Sequence, residues 1–250
     1  MKKRGIFRSG TSGLVLSEPN KKHYPKEFQD KSRLSYYSSK FNSIEINSSF
    51  YKIPRCQTYY NWSLMVPEDF QFTIKLWKGI THNKDFDFEV QDLKSFFSAL
   101  DCLGQKKGCL LIQFPAGIPR HLDGVGKIME RVKNMDPGGK WRLAIEFRHH
   151  HWYEQDVLRL ISEYEASLVL HDMPASMVNK LQGEPSFVYI RFHGEKGDYR
   201  GTYDQAFLNS RATEIRQWLD QGLDVYAYFN NTIGGAAENL VTLNEMVRDV

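Results

Sequence analysis

The side chains best suited to chemistry sit inside short apolar runs rather than in polar loops. Glu45 and Asn47 interrupt the run 43–50, Lys75 lies near the end of 70–77, and Gln113 lies in 109–114. Glu146 and Arg148 are spaced by two residues, as are Arg191 and His193, and Asn230-Asn231 follows the last run. Carboxylates, an imidazole and an amine among arginines are the ingredients of proton transfer on an anionic molecule. Arg and Lys hold a carboxylate or phosphate through charge-assisted hydrogen bonds. Glu146 and His193 are the candidate proton carriers. Lys75 would be a Schiff-base nucleophile if desolvated or set beside another cation, although a salt bridge is the commoner fate of such a lysine. Glu45 completes the catalytic set by orienting its neighbours. The expected substrate contacts are Asn47, Tyr51, Gln113, Arg148, Arg191, Tyr228, Asn230 and Asn231.

A divalent metal is the rival reading. Glu45, His82, Glu146, Asp172 and His193 could offer oxygen and imidazole ligands to Zn²⁺ or Mn²⁺ for a hydrolase or nuclease. Against it, the sequence contains no H-E-x-x-H spacing, its H-x-H match lies inside the run His149-His150-His151, and those three residues cannot all face one site. A metal is therefore not favoured as cofactor. A third reading is a nucleotide or nucleic-acid binder in which Trp77, Tyr51, Trp152, Tyr189 and Tyr228 stack bases. A net charge of only +3 argues against an extended nucleic-acid track. Gly234-Gly235 opens the last helical segment and fits either a backbone anion cradle or a plain turn.

Eight apolar runs must carry these groups: 6–10, 43–50, 70–77, 109–114, 142–147, 167–172, 187–193 and 224–230. The segments 90–103, 157–164, 207–219 and 236–247 repeat apolar residues at helical spacing. Strands alternating with helices predict a parallel sheet, and eight strands predict a TIM-type (β/α)8 barrel. The segment 173–186 is short and contains Pro174, Gly183 and Pro185, so the helix between strands six and seven is expected to be short or missing.

Alternation along a strand divides each run into two faces. Ile44 and Ile46 oppose Glu45 and Asn47; Ile74 and Leu76 oppose Thr73 and Lys75; Leu143, Ile145 and Phe147 oppose Ala144, Glu146 and Arg148. In a helix-wrapped barrel the all-apolar face packs under the helices. The mixed face then points at the axis, with its polar members near the C-terminal strand ends where barrel sites are built. Buried without partners, such groups cost several kcal/mol each, so they either compensate one another, as Glu45–Arg148 or Glu146–Lys75 would, or line a wet pocket.

Composition sets the outer bounds. The 250 residues, 41% apolar and 25% charged, are enough for one barrel domain over 1–250 and exclude a disordered chain. The three cysteines show no C-x-x-C spacing, so a disulfide framework is not expected and a reducing compartment is. No signal-peptide core or membrane-length apolar run is present, which leads to the expectation of a cytoplasmic protein. Neither the oligomeric state nor the reaction can be read from these features.

The motifs also resemble a known family. Phe41-Asn42-Ser43-Ile44-Glu45-Ile46-Asn47-Ser48-Ser49-Phe50-Tyr51 is similar to the hallmark of the YecE-like family, domain of unknown function 72. The likeness continues through Lys75, Ile80-Thr81-His82, Gln113-Phe114-Pro115, Glu146-Phe147-Arg148-His149 and Trp152. It runs on through Tyr189-Ile190-Arg191-Phe192-His193-Gly194 and Tyr228-Phe229-Asn230-Asn231, covering nearly the whole chain. The resemblance implies a TIM-type barrel and an intracellular protein, and it implies no particular reaction. Leu14 stands where the family usually has an aromatic residue, which removes a ring-stacking contact there.

Overall fold

A computed structural model describes residues 3–83 and 85–248. The strands are β1 (Phe7–Thr11), β2 (Ser43–Ile46), β3 (Gln71–Lys75), β4 (Lys107–Phe114), β5 (Arg142–Phe147), β6 (Ser167–Leu168), β7 (Leu170–His171), β8 (Phe187–Phe192), β9 (Arg200–Gly201), β10 (Asp224–Phe229) and β11 (Ile233–Gly234). The helices are α1 (Arg33–Lys40), α2 (Ser48–Tyr51), α3 (Cys56–Leu64), α4 (Lys78–Thr81), α5 (Val90–Leu100), α6 (Leu122–Met135), α7 (Gln155–Glu163), α8 (Gln205–Asp220) and α9 (Ala236–Arg248). Polar caps fix where some helices begin: Ser32 accepts from the Ser35 N–H before α1, and Asp204 from the Phe207 N–H before α8.

All pairings within these sheets are parallel. One sheet runs β2-β3-β4-β5-β6, a second runs β1-β10-β8-β7, and β9 pairs with β11. The two large sheets meet at both edges. On one side the sixth barrel strand changes partner: Val169 N–H donates to the Ile145 carbonyl of β5 at 2.8 Å, and the next residue begins β7, paired with β8. On the other side Ser12 bridges Glu45, and Gly13 N–H donates to the Glu45 carbonyl at 2.8 Å. Glycine is required at this seam, because a Cβ on Gly10 would lie 2.2 Å from the Ser43 carbonyl oxygen. The architecture is the TIM-type α/β barrel expected from the alternation of strands and helices. Between β7 and β8 the only helical element among the described residues is the 3-10 turn Pro174–Ser176, so the irregularity also falls where it was expected.

The two strand faces separate into two apolar clusters. Ile44, Ile74, Ile112, Ile145, Ile190 and Phe229 belong to the larger one, together with residues of α5, α6, α8 and α9. Cys109, Leu111, Ala144, Val169, Phe187, Tyr189, Tyr226 and Tyr228 form a second, smaller cluster. These are the opposite parity of the same strands, and they fill the barrel interior below the polar strand ends.

The cysteine expectation is corrected. Cys56, at the start of α3, is disulfide-bonded to Cys102, 46 residues later in the turn after α5, with the Cα atoms 5.4 Å apart. Only Cys109 is free, and it is buried. The pairing depends on α3 packing against that turn, which residue spacing does not reveal. It also removes the cysteine-based argument for a reducing compartment. No described helix is long and apolar enough to cross a membrane.

Candidate functional site

The mixed strand faces converge on a buried ionic network. Arg191 of β8 is 1% exposed and spends its donors on two carboxylates. Its Nε and Nη2 donate to Glu45 Oε2 and Oε1 at 3.0 and 2.8 Å, and its Nη1 donates to Glu146 Oε2 at 2.7 Å. Glu45 also accepts from Ser12 Oγ and from the Tyr189 hydroxyl, each at 2.6 Å. Glu146 pairs through its other oxygen with Arg148. Burial alone would raise both carboxyls, but the guanidinium charges outweigh it: Arg191 holds Glu45 below the usual range, and Arg148 with Arg191 hold Glu146 well below it. The expected compensating pairs, Glu45–Arg148 and Glu146–Lys75, are therefore replaced by Glu45–Arg191 and Glu146–Arg191–Arg148.

From Arg148 the network continues to an oriented histidine. Arg148 Nη2 lies 3.2 Å from His193 Nε2. A guanidinium can only donate, so Nε2 accepts and the ring proton sits on Nδ1. That nitrogen lies 3.2 Å from Asp172 Oδ1, which also accepts the His193 backbone N–H at 2.7 Å. The Tyr203 hydroxyl holds Asp172 Oδ2 and accepts from the Gly194 N–H. Burial lowers the His193 pKa while the Asp172 hydrogen bond opposes that shift, so the ring is neutral and carries a basic nitrogen on the Arg148 side.

Lys75, at the end of β3, stands apart from these pairs. Among the described residues no carboxylate forms an ion pair with it, so the salt bridge expected as its commoner fate is not formed. Its Nζ lies 3.9 Å from the centre of the Phe50 ring. Burial, then the charge of Arg191 and to a lesser degree that of Arg148, bring its pKa down to about 7 against the opposing pull of Glu146 and Glu45. Asn47, in front of α2, has its side-chain oxygen buried without a hydrogen-bond partner.

The other expected residues are distributed more widely. Gln113 is buried beside Glu146 in the β4–β5 register. Tyr51 is 68% exposed at the rim, and Asn230 is half-buried. The Tyr228 hydroxyl is turned into the barrel, 2.7 Å from both Ser43 Oγ and Thr73 Oγ1. Asn231 donates to the Gly201 carbonyl and Asn239 Oδ1 and so braces the β9–β11 pair. A Cβ on Gly234 would lie 2.2 Å from the Gly201 oxygen, and Gly235 N–H donates to that oxygen at 3.0 Å. The glycine pair therefore serves strand pairing, the plainer of its two readings.

The five candidate metal ligands do not gather into one set. Glu45 and Glu146 face Arg191, and Asp172 pairs with His193. His82 lies against the Phe50 ring with its pKa lowered to about 4 by burial and by Lys75. No group of three His, Cys, Asp or Glu side chains suited to a metal occurs among the described residues. Sequence reasoning missed Ser12, Phe50, Tyr203 and His171. His171 ends β7 with its Nε2 3.2 Å from the Tyr153 hydroxyl and its ring 5.8 Å from His193. The inward parity of Ser167, Val169 and His171 was the signal that could have found it.

Comparison with known proteins gives this site a family context. UPF0759 protein YunF of Bacillus subtilis (strain 168) is 26% identical over 247 residues, 86% of either chain. UPF0759 protein YecE of Escherichia coli (strain K12) is 23% identical over 121 residues, 48% of this chain and 43% of YecE. The crystal structure of a DUF72 family protein from Enterococcus faecalis V583 superposes with a TM-score of 0.77 at 20% identity, covering 98% of both chains. The family model described as "Protein of unknown function DUF72" matches residues 8–250, and the chain belongs to that family.

Proposed function

We propose that this protein is an enzyme acting on a small anionic molecule by acid–base chemistry at the C-terminal strand ends. The observation that carries the reading is Lys75: a buried amine with no carboxylate partner among the described residues, beside a carboxylate–arginine network that is otherwise paired. Folding leaves a buried lysine unpaired only at a cost, and such perturbed groups concentrate at functional sites. Lys75 and His193 are the proton-moving groups in this reading, since the Lys75 amine is brought down to about 7 and burial lowers the His193 imidazole below its ordinary value. Glu146 and Glu45, held as carboxylates, fix the guanidinium groups rather than carry protons. Arg148, with its side chain 13% exposed, is the arginine placed to meet an incoming carboxylate or phosphate, while Arg191 supplies fixed positive charge from behind.

The test is a calorimetric screen of phosphorylated and carboxylated metabolites at low salt. Binding that excess inorganic phosphate competes away and that Arg148→Ala weakens by about tenfold or more supports the reading. Binding that requires added Zn²⁺ or Mn²⁺ would replace it with a metal-dependent hydrolase. Salt-sensitive oligonucleotide binding indifferent to the small anions would replace it with a nucleic-acid binder.

A further inference from the structure

We infer that Lys75 is an amine nucleophile that forms a Schiff base with a small carbonyl compound carrying a carboxylate or phosphate group. The inference rests on the reading of this site as one for small anions and adds the class of substrate.

Two observations support it. First, the Lys75 amine lies over the face of Phe50 and makes no ion pair among the described residues, whereas the buried carboxylates of Glu45 on β2 and Glu146 on β5 are taken by arginines. A lysine meant only for charge balance would be expected to take one of those partners. Second, burial and the charges around it keep the amine partly neutral. Burial opposes its protonation most strongly, followed by the charge of Arg191; Glu146 and Glu45 pull the other way, Arg148 adds a smaller opposing charge, and neighbouring His82 is itself neutral at pH 7. A lysine desolvated against an aromatic wall and beside cations is the environment that activates an amine for imine formation.

The step balances without an oxidant or a further reactant. The lone pair of Nζ adds to the carbonyl carbon, forming the C–N bond while the carbonyl π pair moves to oxygen. That oxygen takes a proton from the amine to give a carbinolamine. One further proton from solvent lets the hydroxyl leave as water, and the nitrogen lone pair forms the C=N bond of a protonated imine. The imine then withdraws electrons from the adjacent carbon, whose proton is within the competence of a neutral imidazole such as His193.

Reductive trapping on the wild-type protein tests this directly. Glyoxylate, an anionic aldehyde, and formaldehyde, a neutral one, are each added with sodium cyanoborohydride at pH 7, and modified lysines are mapped by peptide mass spectrometry. An amine of pKa about 7 has roughly a thousandfold more free base at pH 7 than an ordinary lysine. Part of that advantage is offset by burial and lower intrinsic nucleophilicity. The expected result is modification by glyoxylate at Lys75 about tenfold or more faster than at any other lysine, slowed by excess inorganic phosphate. If neither aldehyde prefers Lys75, the Schiff-base inference is wrong while the anion reading stands or falls on its own binding screen. If both aldehydes label Lys75 equally well and phosphate has no effect, the amine is nucleophilic but the anion reading fails, and with it the assigned substrate class.

Discussion

At the residue scale, Glu146 and Asp172 differ in what they hold in place. Glu146 is fully buried and accepts from Arg191 while pairing with Arg148. Removing one partner of a buried pair strands the charge of the other, a loss of about 3–5 kcal/mol. Glu146→Gln should therefore lower the unfolding free energy by about 3 kcal/mol in urea titrations, and an unchanged midpoint would mean the arginines find other compensation. Asp172 acts at longer range, through the His193 ring. Its hydrogen bond is the first influence opposing the burial that lowers the His193 pKa. Asp172→Asn should move the imidazole pKa down, read by NMR titration of the ring protons, and should loosen the preference for the Nδ1–H tautomer. A purely structural Asp172 would alter stability and leave the His193 titration where it was.

At the element scale, the barrel strands were legible because the chain carries two signals on each of them. Ile44, Ile74 and Ile145 on one face, with Glu45, Lys75 and Glu146 on the other, mark both the strand period and its orientation, and the two observed clusters follow that division. The missing helix after β7 was legible from Pro174 and Pro185. Pairing within the site was not legible, because several carboxylates and cations brought to one end of a barrel can combine in more than one way. Tyr228 shows the same limit: parity put it inside, and only side-chain geometry shows its hydroxyl bonded to Ser43 and Thr73. The disulfide belongs to this class as well, since it depends on how α3 meets the turn after α5. Closing 46 residues of chain, it should contribute about 2–4 kcal/mol through the unfolded state. Cys102→Ser should lose that amount in urea titrations, and a reducing agent should reproduce the loss in the wild type but not in the variant.

At the scale of the whole molecule, the buried network should govern how stability depends on pH, in opposite senses for its acids and its amine. Glu45 and Glu146 have folded pKa values below the 4.5 of a free glutamate. The unfolded chain therefore binds protons first as acid is added, and the stabilisation from these carboxylates is present above about pH 4.5 and lost as pH falls below it. Lys75 works the other way. Its pKa is about 7 in the folded protein against 10.5 when free, so between those values the unfolded state holds the extra proton and the lysine disfavours folding. That penalty is largest below pH 7 and disappears as pH rises towards 10.5, giving a stability that increases with pH across this window. Lys75→Met keeps the apolar stem over Phe50 and removes the amine, so its stability should exceed that of the wild type at pH 6 and converge with it near pH 10. Guanidinium titrations at pH 6, 8 and 10 on both proteins check the prediction as a difference, which cancels the contribution of the other lysines and the tyrosines. A difference that stays constant across the three pH values would mean that Lys75 is an ordinary protonated lysine, and the electrostatic basis for its reactivity would fall with it.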